Sequence, residues 1–180
     1  MAFDNERVLR AAGDFLSRRP SATMDEIASA VGVSRATLHR YFAGRAALLA
    51  ALDQLAITQL REALKNARLQ DGSAAEALRR LATECEPVSG HLLLLYTESQ
   101  DFEANQPKEA WAEIDGEIRK LFERGQREGE FRSELSAFWL TEAFLTLCSG
   151  AAWVIQAGEA GRRQFGDMVT DLLLHGVTRS

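Results

Sequence analysis

Residues 23–49 read TMDEIASAVGVSRATLHRYFAGRAALL, and this stretch decides the fold. It opens on Thr23-Met24-Asp25-Glu26, a capping box. The Thr23 hydroxyl can accept the amide hydrogen of Glu26, while the Glu26 carboxylate reaches back to the amide of Thr23. The short helix that follows carries Ile27, Ala28 and Val31. Gly32 ends it, because glycine accepts the left-handed backbone that follows a helix C-terminus. Ser34 then caps another short helix, which runs through Tyr41. Two short helices crossing steeply over a tight turn make a helix-turn-helix. Ala28 is small enough for close helix contact, and Ile27, Val31, Val33 and Leu38 supply the apolar layer between them. The second helix presents a polar face of Arg35, Thr37, His39, Arg40 and Tyr41. A helix of this kind fits the major groove of B-DNA, and its N-terminus turns free amides toward phosphate.

Upstream, Val8, Ala11, Ala12, Phe15 and Leu16 recur at helical spacing and predict a helix from Asn5 to Arg18. Pro20 stops it. Downstream, Leu48, Leu49, Leu52, Leu55, Ile57 and Leu60 predict a longer helix from Arg45 to about Gln70. Gly72-Ser73 breaks it, and Ser73 to Glu76 is a second capping box. Pro87 and Pro107 suit the first turns of new helices. A turn is expected over residues 125–134, and the last two helices over 136–157 and 161–177. No segment sustains the period-two alternation of a strand. The fold class is therefore all-α, with about nine helices.

Of the 180 residues, 46% are hydrophobic and 26% charged, an ordinary globular balance that excludes a disordered or fibrous chain. A chain of this length buries roughly 70% of its unfolded surface and needs no staple. Cys85 and Cys148 are too few for a disulfide framework and fit a reducing compartment. Neither has a basic neighbour in sequence, so both read as buried thiols. His39, His91 and His175 share no ligand spacing with either cysteine, so no metal site and no cofactor is expected. The start of the chain is not a signal peptide, and the most apolar stretch, Ala143 to Ile155, is shorter than the ~20 residues a spanning helix needs. These features predict a soluble, cytoplasmic protein without a membrane partner.

The net charge of −5 is unevenly spread. Residues 1–50 hold seven arginines against five carboxylates, a net +2; residues 51–180 hold 14 basic and 21 acidic residues, a net −7. A mildly basic module is joined to an acidic body, and local positive charge is what nucleic-acid binding needs.

The 23–49 stretch resembles the DNA-binding domain of the TetR family of transcriptional regulators. The resemblance rests on Thr23, Ile27-Ala28, Val31-Gly32-Val33-Ser34, Thr37-Leu38, Tyr41-Phe42, Arg45 and Leu48-Leu49. Chain length, the helix count and the turn at Gly129-Glu130-Phe131-Arg132 extend it over the whole chain in architecture. His39 stands where the family most often has Tyr. Ala43-Gly44-Arg45-Ala46 lacks the acidic residue that often follows the cation. Both departures bear on the operator sequence rather than on the fold.

The resemblance implies a helix-turn-helix domain over residues 1–47 and a helical effector-binding and dimerisation domain over 48–180. Ser34, Arg35, Thr37, His39, Arg40 and Tyr41 would lie at or near double-stranded DNA. Thr23 and Arg45 would hold phosphates. Phe42 reads as a core aromatic. The last two helices would pair with those of a second subunit, with Trp139, Leu147, Ala151, Val154, Phe165, Val169 and Leu172 as candidate interface residues. His91, Leu94, Tyr96, Phe102, Trp111, Phe144 and Cys148 are the candidate lining of an effector pocket, each equally readable as core.

The function so implied is a ligand-responsive repressor, a homodimer that binds a palindromic operator and releases it when a small-molecule effector binds. The alternative is a DNA-binding regulator without such an effector, controlled by a partner protein. An all-helical enzyme is a third reading. It has no support from a phosphate loop, a nucleophile elbow or a metal-ligand spacing, so no enzymatic activity is expected.

Overall fold

The computed structural model describes the backbone of residues 5–102 and 108–177, and the side chains of residues 6–95 and 109–176. Nine α-helices and no strand are found among the described residues. They are α1 (Asn5–Arg18), α2 (Met24–Ala30), α3 (Arg35–Tyr41), α4 (Arg45–Ala67), α5 (Ala74–Cys85), α6 (Ser89–Phe102), α7 (Lys108–Arg127), α8 (Ala137–Gln156) and α9 (Phe165–Val177). Short 3-10 turns precede α6 and α9. Pro107 lies outside the described residues, while Pro87 sits in the first turn of the 3-10 segment, where its missing amide hydrogen costs nothing.

Two apolar cores organise these helices. The first joins α1, α2, α3 and the start of α4, and contains Val8, Leu16, Ile27, Leu38, Phe42 and Leu48. It continues into Leu49 and Leu52 and takes in Leu94 from α6. The packing of this reading head therefore runs beyond the 1–47 stretch that carries its motif. The second core, the body, gathers α4 to α9 around Phe122, Phe131, Phe144 and Phe165. Helix α6 belongs to both, because Leu92 and Leu95 enter the body's core.

Helix α4 ends at Ala67, three residues earlier than its periodicity suggests. Arg68 adopts the left-handed backbone there, with φ 45°. The carbonyls left open are taken by arginines: Arg80 donates to Ala67 O at 2.8 Å and Arg124 to Leu69 O at 2.9 Å. Both partners of the expected Ser73–Glu76 capping box are in place at α5. The same helix start receives a further cap from Glu130, whose two carboxylate oxygens accept the amides of Ala74 (2.9 Å) and Ala75 (3.0 Å). Burial works against the Glu130 charge, but the two amides, Arg124 and Glu128 outweigh it, and the carboxyl sits below its ordinary pKa.

Helix α8 is 20 residues long and apolar enough by length and composition to cross a membrane. Its full extent exceeds the 13-residue run picked out in the sequence. It packs as a core helix against α6, α7 and α9, with Leu140, Phe144 and Cys148 buried. Cys148 meets Cys85 of α5 in the body's core, both thiols free. Burial first, and then the neighbouring thiol, pushes the Cys148 pKa up, which matches the expectation of buried thiols.

Candidate nucleic-acid interface

The helix-turn-helix is built by the caps that its sequence announces. Thr23 Oγ1 accepts Glu26 N at 3.3 Å, and Glu26 Oε2 accepts Thr23 N at 2.7 Å. The Thr23 amide, followed by the Thr23 hydroxyl, holds the Glu26 carboxyl below its ordinary pKa. At the other end of α2, Gly32 takes φ +73°. Val33 N then reaches Ala28 O at 3.0 Å and Gly32 N reaches Ser29 O at 3.2 Å, a Schellman stop. A side chain at position 32 would be strained by the backbone alone. Ser34 Oγ accepts Thr37 N at 3.1 Å and opens α3.

Helix α3 buries Leu38 completely, and Phe42 after it is a core aromatic as expected. The opposite face carries Arg35, His39, Arg40 and Tyr41, all exposed. Thr37 is half-buried and shares its hydroxyl with Ser34 at 2.8 Å. The Arg40 guanidinium lies over the Tyr41 ring, 5.1 Å from its centroid. That stacking leaves the guanidinium edge for hydrogen bonds. Arg35 Nη1 pairs with Asp25 Oδ2 across the turn at 2.9 Å, with both side chains more than half exposed. An ion pair this exposed is weak and exchanges readily for a phosphate. Six of the eight residues expected at DNA are thus gathered on and around α3. Thr23 is exposed at the start of α2.

Arg45 is placed differently. It is half-buried and donates to the backbone carbonyls of Ala22 (2.9 Å) and Pro20. It clamps the start of α4 to the α1–α2 loop. The sequence shows a cation at a helix start but not the carbonyls 23 and 25 residues away that engage it.

In the body, Trp139 and Leu172 are 58% and 64% exposed, and Phe138 and Trp153 are exposed as well, at 57% and 61%. Leu147 and Val154 are half-buried, and Ala151 is buried. Phe165 and Val169, expected at a subunit interface, are turned into the chain's own core and have no surface left for a partner. The large apolar side chains of α8 and α9 that stand exposed are therefore Phe138, Trp139, Trp153 and Leu172, with the Arg119 guanidinium of α7 5.7 Å from the Phe138 ring centroid. Sequence reasoning named only two of these, because α8 is apolar on nearly every side.

The expected pocket residues are spread over three environments. Leu94 packs in the reading head's core, and Phe144 and Cys148 are fully buried in the body's core. His91 is buried between α1, α4 and α6, where its Nδ1 meets Gln59 Oε1 at 3.0 Å. Trp111 is half-buried against the body and donates its indole N–H to Asp53 Oδ1 at 2.9 Å. The side chains of Tyr96 and Phe102 lie outside the described residues. Sequence reasoning missed Asp53, which is only 1% exposed and whose carboxyl is raised in pKa by burial, against the opposing hydrogen bond from Trp111. Its signal was a carboxylate on the apolar face of α4.

Residues 9–52 match the family described as bacterial regulatory proteins, tetR family. Over 97% of its length the chain is 31% identical to the HTH-type transcriptional regulator NfxB of Pseudomonas aeruginosa, covering 94% of that protein. It is 29% identical to the HTH-type transcriptional repressor LfrR of Mycolicibacterium smegmatis, covering 94% of this chain and 88% of LfrR. The crystal structure of LfrR in complex with proflavine superposes with a TM-score of 0.75 at 26% identity, over 97% of this chain and 96% of that one.

Proposed function

Because the chain belongs to the TetR family of bacterial regulatory proteins, we propose that it is a cytoplasmic, homodimeric repressor that binds a palindromic operator and releases it when a small molecule binds. The observation that carries the DNA half is the outward face of α3. Arg35, His39, Arg40 and Tyr41 stand exposed there on a helix whose other side is locked into the core by Leu38. Arg40 and Arg35 are the candidate base readers or phosphate ligands, and Ser34, Thr37 and Tyr41 offer hydroxyls. The exposed apolar side chains Phe138, Trp139, Trp153 and Leu172 are what a second subunit covers. Two reading heads then face successive major grooves on one side of the duplex.

For the effector, Asp53 and Asp115 are the carboxyls of the body, among the described residues, whose pKa burial raises above the ordinary value. A cationic ligand is the condition under which such a carboxylate ionises at little cost. Trp111 beside Asp53 adds an aromatic face suited to a flat organic cation. The effector class we propose is therefore an aromatic cation, and proflavine, the molecule bound in the LfrR structure, is the probe.

The test is selection of duplexes from a random library by the purified protein at two salt concentrations, repeated with proflavine. A palindrome enriched at both salts and lost with the dye is the expected result. Retention that falls steeply with salt but selects no sequence would mean phosphate attraction alone and would overturn the operator reading. A palindrome unaffected by proflavine would overturn the aromatic-cation assignment.

A further inference from the structure

Helix α1 lies against the body along a seam of small residues. Gly13 is buried in the middle of α1, where glycine costs about 1 kcal/mol relative to alanine. The reason is the partner across the seam. A Cβ at position 13 would stand 2.4 Å from Nε2 of His91 and 2.6 Å from its Cδ2. The imidazole of α6 is thus pressed onto the bare backbone of α1. It is 3% exposed, and its other nitrogen is held by Gln59 of α4. With Gln59 Oε1 as acceptor, Nδ1 carries the proton, and Nε2 is left as a buried acceptor with no hydrogen-bond partner. One turn along the same face of α1, Ser17 Oγ accepts Gln156 Nε2 at 3.0 Å. Gln156 is the last residue of α8, one of the two helices that carry those exposed apolar side chains. The reading head is therefore fixed to α6 by the imidazole and to α8 by the amide.

We propose that His91 is the positioning residue that sets the angle of the reading head on the body, and with it the half-site spacing the dimer accepts. The proposal rests on the homodimeric operator reading above. In a dimer built on α8 and α9, the head angle decides where each α3 meets the duplex. The ring is the rigid spacer at that joint: Gln59 fixes its rotation, α6 carries it, and Gly13 is the seat. A change at the seat alters spacing and leaves the reading surface of α3 untouched. The charged groups facing the ring from α1 are Asp14 and Arg10. Gln59 and Leu52 face it from α4.

The experiment compares wild type, His91→Ala, Gly13→Ala and the double variant on a library in which a fixed half-site is repeated with spacers of varying length. Affinity for a duplex with one half-site is measured alongside, with circular dichroism as the check on folding. Wild type should favour one spacing. His91→Ala should accept neighbouring spacings with at least tenfold less discrimination, at unchanged single half-site affinity. Gly13→Ala should shift the preferred spacing, and removing the ring in the double variant should relieve that shift. A His91→Ala protein that keeps wild-type spacing discrimination overturns the proposal, even if Gly13→Ala fails to fold. A fall in single half-site affinity equal to the fall on the full site also overturns it, since that is damage to the head rather than to its angle. A wild type that favours no spacing sinks the operator reading itself.

Discussion

Arg45 Nη1 donates to the carbonyl oxygen of Ala22 at 2.9 Å, so the cation at the start of α4 is engaged by the protein's own backbone. Replacing Arg45 with Ala should lower stability by about 1–3 kcal/mol, the scale of hydrogen bonds from a charged donor. The slope of operator affinity against salt should stay as in wild type. Urea unfolding and a salt titration check both halves. A slope reduced by about one unit would return Arg45 to the phosphate ligands.

Arg40, by contrast, is exposed on α3 with its guanidinium stacked over the Tyr41 ring. Arg40→Ala should weaken operator binding by about 1–3 kcal/mol and relax selectivity at one base pair of each half-site if the guanidinium reads a base edge. Uniform weakening across sequences would instead make it a phosphate contact. Fluorescence anisotropy on a set of single-base operator variants separates the two.

Glu130 caps α5 from a distance in sequence, and Glu130→Ala should cost about 1 kcal/mol, the usual worth of a helix N-cap. Its folded pKa is lowered, so its contribution is present above the unfolded value near 4.5 and is lost as pH falls through the folded one. Thermal melts from pH 7 to 3 should show the gap between wild type and Glu130→Ala closing toward the acid end. A constant gap would mean that packing, and not the charge, is what Glu130 supplies.

For His91 the sign is the opposite of the usual ion-paired histidine. Burial, more than offsetting Asp14, lowers its pKa below 6.5. The unfolded chain then takes up a proton before the folded one does. Stability is complete above pH 6.5 and falls as pH drops toward the folded pKa, by at most about 1.4 kcal/mol per pH unit for one proton. His91→Gln should flatten that limb of the stability curve between pH 6.5 and 5. Equal slopes in the two proteins would assign the limb to other groups.

Trp153 is 61% exposed on the end of α8, next to the seam. Light scattering should give wild type a mass near twice the 19.9 kDa of one chain. Trp153→Arg should shift the protein toward the single-chain mass at low micromolar concentration, because a charge is then buried without a partner. An unchanged mass would move the subunit contact elsewhere on the surface.

The reading head was legible because its signals are local. Thr23, Gly32 and Ser34 each act within five residues, through a cap or a left-handed turn, and the structure uses all three as their chemistry suggests. The nine helices found among the described residues were legible for the same reason. What escaped were pairings across the chain. Ser17 and Gln156 are 139 residues apart, and nothing around either residue announces the other. The run Leu92 to Leu95 covers every side of α6, so its sequence does not say that Leu94 faces the head while Leu92 and Leu95 face the body. Helix α8 poses the same problem: an all-round apolar helix has no stripe to tell the chain's own core from a partner's side. Apolarity alone likewise does not separate Phe165 and Val169 of α9, which are buried in the chain's own core, from Phe138 and Trp153 of α8, which are exposed.

The sharing of α6 between the two cores bears on how the molecule comes apart. A head cut after residue 47 would lose Leu48, Leu49, Leu52 and Leu94 from its interior, and three short helices would be left around a hole. Such a piece cannot melt or refold independently, since the residue that closes it is carried by the other half of the chain. Heating should therefore release both regions in one cooperative transition. Anything that stiffens α6 should then raise the hydrogen-exchange protection of α1 to α3 as well.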